Sequence, residues 1–182
     1  MKKYKTIVID PPWPMKFGND KNWFKRPSVL NGTIHTPNWA QRGNVTFNYP
    51  TMKLDDIAKL PVADLMDTNS HLYLWVPNKY IAEAYQIMKS WGVIPSCLLT
   101  WAKTPGGLGL GGTFVQTTEH ILFGRKGKNV ALKRIPSTWW NWKRPNGGTK
   151  HSSKPEEFQT LIESVSPKPY LELFARRKRP NW

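Results

Sequence analysis

The pattern of apolar and polar positions predicts strands that alternate with helices. Five apolar runs rich in β-branched and aromatic residues have the length of buried strands: 6–9, 70–76, 98–103, 119–124 and 170–175. Three segments repeat apolar side chains at helical spacing: 53–60, 79–90 and 155–165. This alternation predicts an α/β fold built on a layered sheet.

Local signals predict where the helices begin and end. Pro61 is expected to stop the first helix, and Asn78 to cap the second, which Gly92 closes. Pro155 suits the first turn of the third helix, where it is followed by the acidic residues Glu156 and Glu157. These boundaries leave connections of ordinary length, except in two places.

The exceptions are the segments 14–50 and 137–150, which mix tryptophan with lysine and arginine and show no regular period. Such long connections in a compact domain are usually functional or disordered. We expect a single domain over 1–182, with both segments serving as substrate-binding loops. A plain linker is the alternative for 14–50.

The charge balance indicates a polyanionic partner. The 182 residues carry a formal net charge of +15 and include ten tryptophans, a combination that suits phosphates and unstacked bases. A membrane surface is the weaker candidate, because no long apolar span is present. Cys97 is the only cysteine, so a reducing, intracellular compartment is expected. The four histidines lack ligand spacing, and we predict no metal site.

The chemistry is concentrated in Asp10-Pro11-Pro12-Trp13, at the end of the first apolar run. In open α/β sheets, ligands bind at the carboxyl ends of strands. A carboxylate, a rigid carbonyl and a flat aromatic ring together can hold a planar base by its exocyclic amine. The alternative is a strand end with a Pro-Pro turn, in which Trp13 is an ordinary core residue.

These four residues and later motifs resemble the MT-A70-like family of adenine-N6 methyltransferases, phage and bacterial members included. The matching motifs, in family order, are Asp10–Trp13, Tyr49–Met52, Leu72–Trp75, Trp91-Gly92, Trp101–Lys103, Glu119-His120, Lys126-Gly127, His151–Pro155 and Glu172–Arg176. The resemblance implies a Rossmann-like sheet with the catalytic motif ahead of the cofactor motif. It also implies an intracellular, cytoplasmic protein encoded by a phage or bacterium.

The resemblance further implies S-adenosylmethionine as cofactor and the N6 amine of a flipped-out adenine as acceptor. DNA is favoured over RNA as the substrate, although the residues themselves do not separate the two. The catalytic residues would then be Asp10, Pro11, Pro12 and Trp13. The donor would be bound by Ile9, Asp10, Lys154, Glu172, Phe174, Arg176 and Asn181. On the substrate side, the matching motifs contribute Trp13, Glu119, His151 and Ser152. The aromatic and basic composition of the two loops, and not the resemblance, adds Trp23, Arg26, Trp39, Trp140 and Arg144.

The chain departs from the family where relatives extend beyond the final tryptophan with residues that hold the donor's ribose, since Trp182 is the last residue here. Weaker donor binding, a contribution from Asn181 or a partner chain, and a truncated clone are all left open. A non-catalytic nucleic-acid-binding subunit is therefore the alternative function. Methylation of cytosine N4 is disfavoured because its motif begins with serine instead of Asp10. A homodimer is also left open.

Overall fold

The computed structural model describes residues 2–14, 28–30, 33–35, 50–103, 114, 116–145 and 153–182. The chain divides into two compact units, Met1–Trp13 with Met52–Trp182, and Pro14–Thr51. In the smaller unit, strands β2 (Ser28–Leu30) and β3 (Thr33–His35) pair in antiparallel fashion. The sequence pattern gave no sign of this hairpin.

The larger unit contains a six-stranded mixed sheet within the described residues. Its strands are β1 (Tyr4–Ile9), β4 (Met66–Val76), β5 (Ile94–Ala102), β6 (Thr118–Lys126), β7 (Trp139–Trp140) and β8 (Tyr170–Leu173). Their order across the sheet is β7-β5-β6-β4-β1-β8. The predicted α/β fold is confirmed, and the sheet with its flanking helices is consistent with a Rossmann-like methyltransferase fold.

Strand direction decides which residues share an edge of the sheet. β1 runs parallel to both of its neighbours, with Ile9 opposite Leu74 of β4 and Leu173 of β8. β6 runs antiparallel to β4 and β5, while β7 runs parallel to β5. The carboxyl ends of β1, β4, β5 and β8 and the start of β6 therefore lie along one edge.

Helices cover both faces of this sheet. They are α1 (Leu54–Ala58), α2 (Val62–Leu65), α3 (Ile81–Ser90) and α4 (Glu156–Val165), with a 3₁₀ turn at Asn78–Tyr80. Phe158 and Ile162 of α4 pack against Val8, Tyr73 and Trp75 on one face of the sheet. Along each strand, the residues between these point to the opposite face. The core thus continues through the sheet, which explains why β4 is buried on both faces from Ser70 to Val76.

Helix α3 approaches the other face at Gly124 of β6. A Cβ added there would lie 2.4 Å from Met88 Sδ and 2.8 Å from Val93 Cγ1. Only glycine gives the helix room at this distance from the strand.

Three local predictions differ from the structure. Asn78 does not cap α3: it starts a 3₁₀ turn, and α3 begins at Ile81 without a side-chain cap. The segment 137–150 was expected to be a loop, but its residues Trp139 and Trp140 form β7. The last strand ends at Leu173, because Phe174 adopts a φ of 64°, outside the strand region. Among the described residues, no helix is long and apolar enough to span a membrane.

Candidate active site

Charged residues from several strands meet at one edge of the sheet. Asp10 directly follows β1, and Lys103 directly follows β5. Because β6 is antiparallel, its first residues reach the same edge: Glu119 lies opposite Trp101 of β5. This is the edge at which open α/β sheets bind their ligands.

The residues after Asp10 are fixed by backbone hydrogen bonds. The Trp13 N–H donates to the Pro11 carbonyl at 2.8 Å, and the Met52 N–H donates to the Pro12 carbonyl at 2.8 Å. The first contact closes a three-residue turn around Pro12. A carbonyl oxygen has two lone pairs, so the Pro11 oxygen can accept a second hydrogen bond.

The indole of Trp13 is a core group. It is only 5% exposed, stacks on Tyr80 at a centroid distance of 5.5 Å, and donates from Nε1 to the Trp75 carbonyl at 2.8 Å. These contacts hold the Asp10–Trp13 segment against β4. The stacking of Trp13 on a substrate base stays a prediction.

Four side chains of alternating charge extend from Asp10. Lys154 Nζ lies 3.0 Å from Asp10 Oδ2 and 3.2 Å from Glu119 Oε2, and Lys103 Nζ lies 2.6 Å from Glu119 Oε1. Their side chains are 15–25% exposed. We call Asp10, Lys154, Glu119 and Lys103 the charge chain. Its formal charges cancel, in a protein that carries +15 overall.

Tryptophans support the two lysines of the charge chain. Lys154 Nζ lies 4.9 Å from the centre of the Trp75 ring, and Lys103 Nζ lies 5.7 Å from that of Trp101. The two indoles meet edge to face at 6.2 Å. Each ammonium therefore has an aromatic contact within cation–π range in addition to its carboxylates.

These contacts keep the buried part of the charge chain ionised. Burial opposes the charge of Lys154, but Asp10 and Glu119 outweigh it and raise the lysine pKa above its ordinary value. Burial likewise opposes the charge of Glu119, but Lys154 and Lys103 lower the pKa of this carboxyl to about 2. Both groups are therefore charged throughout the physiological pH range.

A second carboxylate lies beside β1. Glu172 of β8 is opposite Val8 in the strand register and accepts a hydrogen bond from the buried amide of Gln159 at 2.9 Å. Burial, opposed by this hydrogen bond, raises the pKa of Glu172, and the nearby charge of Asp10 raises it further.

The other predicted donor-binding residues differ in accessibility. Ile9 is completely buried in the core, whereas Phe174 is 41% exposed and Arg176 is exposed. Asn181 has a φ of 70° and is exposed next to Trp182. Trp182 stacks on Tyr170 at 4.9 Å, so the end of the chain is attached to β8.

Two predicted substrate-binding residues lie near β7, at the far edge of the sheet. Trp140 is half-buried and stacks on Trp142 at 5.1 Å, while its neighbour Trp139 is 61% exposed. Arg144 is half-buried, and its buried Nε has no hydrogen-bond partner among the described residues. The remaining predicted substrate-binding residues lie outside the described residues: Trp23, Arg26, Trp39, His151 and Ser152.

Two residues of this region had no predicted role. Lys103 closes the charge chain, and Gln159 fixes Glu172. Lys103 could have been found by its position, because it follows a strand directly, as Asp10 does. Gln159 gave no signal, since it is one polar residue within an amphipathic helix. In the part of the chain that the structure describes, no cluster of His, Cys, Asp and Glu side chains could hold a metal ion.

Comparison with known proteins agrees with this geometry. The MT-A70 family model matches residues 4–182. The Type II methyltransferase M.MunI of Mycoplasma sp is 27% identical over 191 aligned residues, which cover all of this chain and 76% of that protein. The N(6)-adenine-specific methyltransferase METTL4 of Homo sapiens is 26% identical over 204 residues, which cover all of this chain but 36% of METTL4. The resemblance noted in the sequence is confirmed, and the chain belongs to the MT-A70 family.

Proposed function

We propose that this protein transfers a methyl group from S-adenosylmethionine to N6 of an adenine in nucleic acid, with DNA preferred to RNA. The observation that carries the proposal is the Asp10 carboxylate, which stands beside the Pro11 carbonyl at the ligand-binding edge of the sheet. The names of the two relatives support the reaction class, since both are methyltransferases and one is specific for adenine N6.

The two acceptors suit an exocyclic amine. The lone pair of adenine N6 is delocalised into the ring, which makes the nitrogen a poor nucleophile. Hydrogen bonds from its two N–H groups to the Asp10 carboxylate and the Pro11 carbonyl would favour a pyramidal nitrogen. The Asp10 charge would also stabilise the positive charge that develops on N6. Catalysis would thus rest on positioning and electrostatics rather than on a covalent intermediate.

Asp10 can serve the amine while it is paired with Lys154. The ion pair uses Oδ2 at 3.0 Å. An ionised carboxylate offers about four lone-pair sites, so the same side chain can accept a hydrogen bond from a base. Lys154 holds the carboxylate in place.

The described residues fit the donor. S-adenosylmethionine supplies an electrophilic methyl group on a sulfonium. Lys154 carries three N–H donors; among the described residues Asp10 and Glu119 engage two, and we assign the third to the donor's carboxylate. Glu172, fixed by Gln159 beside β1, is the type of acidic residue that holds ribose hydroxyls at strand ends. Phe174 and Arg176 continue the same wall, as expected for a donor site.

Nucleic acid is the substrate that the charge favours. The charge chain is neutral, so the excess of +15 resides elsewhere on the protein, where it can contact phosphates. The half-buried Trp140 and Arg144 near β7 are the described candidates for this contact.

The test is mass spectrometry of nucleosides after DNA and RNA are incubated separately with the protein and isotopically labelled donor. We expect labelled N6-methyladenine, with more label in DNA. Asp10→Asn should lower the rate at least about a hundredfold, because it removes the charge that stabilises the transition state. The exposed Asp56→Asn in α1 is the matched control and should retain full activity.

Other outcomes would contradict specific parts of the proposal. Full activity of Asp10→Asn removes this carboxylate from the reaction. Label in cytosine overturns the choice of base, and more label in RNA overturns the preference for DNA. Binding of nucleic acid without any transfer would support the non-catalytic subunit instead.

A further inference from the structure

Lys103 is a charged residue at the active-site edge that the proposed chemistry does not use. It follows β5, and its backbone N–H donates to the Thr117 carbonyl at 2.9 Å, which ties it to the start of β6. Its Nζ lies 2.6 Å from Glu119 Oε1. The lysine is thus anchored at its backbone and at its side-chain terminus.

This pair differs from an ordinary surface salt bridge. The Lys103 side chain is 16% exposed and its ammonium lies over Trp101. An exposed pair contributes little to stability because both side chains remain free and solvated. Here the ammonium is held between a carboxylate and an indole, so it restricts the orientation of Glu119.

The two oxygens of Glu119 have different partners. Oε1 faces Lys103, and Oε2 faces Lys154, which in turn contacts Asp10. Without Lys103, both oxygens would be available to Lys154, and the carboxylate could rotate. Lys154 could then contact both oxygens of Glu119, and this closer approach would draw its ammonium away from Asp10.

We infer that Lys103 is a positioning residue: it holds one oxygen of Glu119 so that the other keeps Lys154 against Asp10. This inference rests on the proposed function, because Asp10 is the acceptor for the amine. Lys103 itself is not assigned any contact with the base or the donor.

The first experiment measures methyl transfer by Lys103→Met and Lys103→Arg. We expect Lys103→Met to lower kcat about tenfold, with little change in KM for the oligonucleotide, and Lys103→Arg to restore most of the rate. Lys89→Met, on the exposed end of α3, removes the same charge at a distance and should behave as the wild type. Equal losses in Lys103→Met and Lys89→Met would mean that net charge alone matters, which overturns the inference.

The second experiment is a double-mutant cycle with Glu119→Gln. If Lys103 acts through Glu119, the double variant should be no slower than Glu119→Gln alone. Losses that multiply would show that Lys103 acts independently of Glu119, and the inference would be wrong. The cycle compares rates per folded molecule, so the folded fraction of each variant is measured by thermal melting.

The third experiment does not depend on activity. Carbon-13 NMR of the Glu119 carboxyl, assigned by its absence in Glu119→Gln, follows its titration in the wild type, Lys103→Arg and Lys103→Met. The groups that face Glu119 are Lys103 and Lys154, with Asp10 and His120 nearby. We expect the midpoint to rise by about one pH unit in Lys103→Met and to stay near the wild-type value in Lys103→Arg.

The readouts separate the two ideas. An unchanged midpoint in Lys103→Met overturns the positioning role, whatever the activity. A raised midpoint in a protein that methylates no adenine would leave the electrostatic coupling intact and contradict the proposed function instead.

Discussion

The two ends of strands β1 and β4 hold polar side chains in opposite ways. At the carboxyl edge, Asp10 belongs to the charge chain, whose members are 15–25% exposed. At the amino edge, Thr6 and His71 lie opposite each other in the strand register and are completely buried. Charged side chains therefore gather where β1 ends, whereas buried neutral side chains pair further toward the amino end of the same two strands.

The amino edge is closed by the connection between α4 and β8. Ser166 Oγ lies 2.7 Å from His71 Nδ1 and 2.8 Å from the Tyr73 hydroxyl. Thr6 donates from its hydroxyl to the Pro167 carbonyl at 2.7 Å. We call Thr6, His71, Tyr73 and Ser166 the neutral network. Burial lowers the pKa of His71 and raises that of Tyr73 to about 12, so both stay uncharged at neutral pH.

The difference follows from the cost of burying charge. Neutral groups can be buried completely at a modest cost, whereas ions need counter-ions and some solvent. His71 pairs through Nδ1, while its buried Nε2 has no hydrogen-bond partner among the described residues. The neutral network therefore suits the part of the sheet that only has to be stable. The charge chain is confined to the edge where ligands have access.

The largest expected effect is on methyl transfer and comes from Lys154→Met at the carboxyl edge. It removes the cation shared by Asp10 and Glu119, and with it the proposed anchor of the donor's carboxylate. Transfer should fall at least about a hundredfold, and the KM for the donor should rise. Steady-state kinetics with varied donor concentration measure both; an unchanged KM would remove Lys154 from the donor site.

The next effect concerns the neutral network and should appear in stability. Ser166→Ala leaves His71 Nδ1 and the Tyr73 hydroxyl buried without their common partner, which should cost about 2–3 kcal/mol of unfolding free energy. The rate per folded molecule at low temperature should stay near that of the wild type. Urea unfolding measures the first quantity. A stable but inactive variant would contradict the division between the two ends.

Acid should destabilise His71 and Glu119, which lie at opposite ends, in separate pH ranges. The pKa of His71 in the folded state lies below its ordinary 6.5, so the unfolded chain binds the proton first and stability falls as pH drops below about 6.5. The pKa of Glu119 is lowered from 4.5 to about 2, so its contribution is lost only below about pH 4.5.

Unfolding free energies measured from pH 8 to pH 3 test this separation. His71→Gln should reduce the loss in the upper range, and Glu119→Gln should reduce it in the lower range. His120, whose pKa is also lowered by burial, contributes to the upper range and remains in both variants. Identical pH profiles for the two variants would contradict the assignment.

The smallest effect concerns nucleic-acid affinity. If Arg144 contacts a phosphate, Arg144→Glu should weaken nucleic-acid binding. The slope of the logarithm of the binding constant against the logarithm of the salt concentration should become less steep by about one, because one fewer counter-ion is released. Lys89→Glu serves as the matched control. Binding titrations between about 50 and about 300 mM salt measure this slope. An unchanged slope would exclude Arg144 from the footprint, and the same test extends to Arg26.

Much of the fold could be predicted from local signals. The buried strand before Asp10, the glycine that ends α3 and the proline before α4 are each specified by a few adjacent residues. The predicted Asn78 cap failed because a 3₁₀ turn, closed by Tyr80 N–H to the Pro77 carbonyl, intervenes before α3. The strand β7 was not predicted because a strand of two residues is too short to show the alternation of apolar and polar positions.

The site was predictable residue by residue, but its connections were not. Asp10, Glu119 and Lys154 were candidates from motifs, each with a separate role. Their ion pairs depend on the position of antiparallel β6 between β4 and β5, which no local pattern encodes. The stacking of Trp13 on Tyr80 was likewise not encoded in any local pattern.

The sequence by itself determined the period of the strands and helices, the location of Asp10 at a strand end, and the excess of positive charge. These properties depend on neighbours in the chain or on composition. Only the tertiary structure decided that Lys103 and Lys154 share Glu119, and that the opposite end of the sheet is closed by neutral groups. Such choices depend on strand order and burial, which bring together residues that lie far apart in the chain.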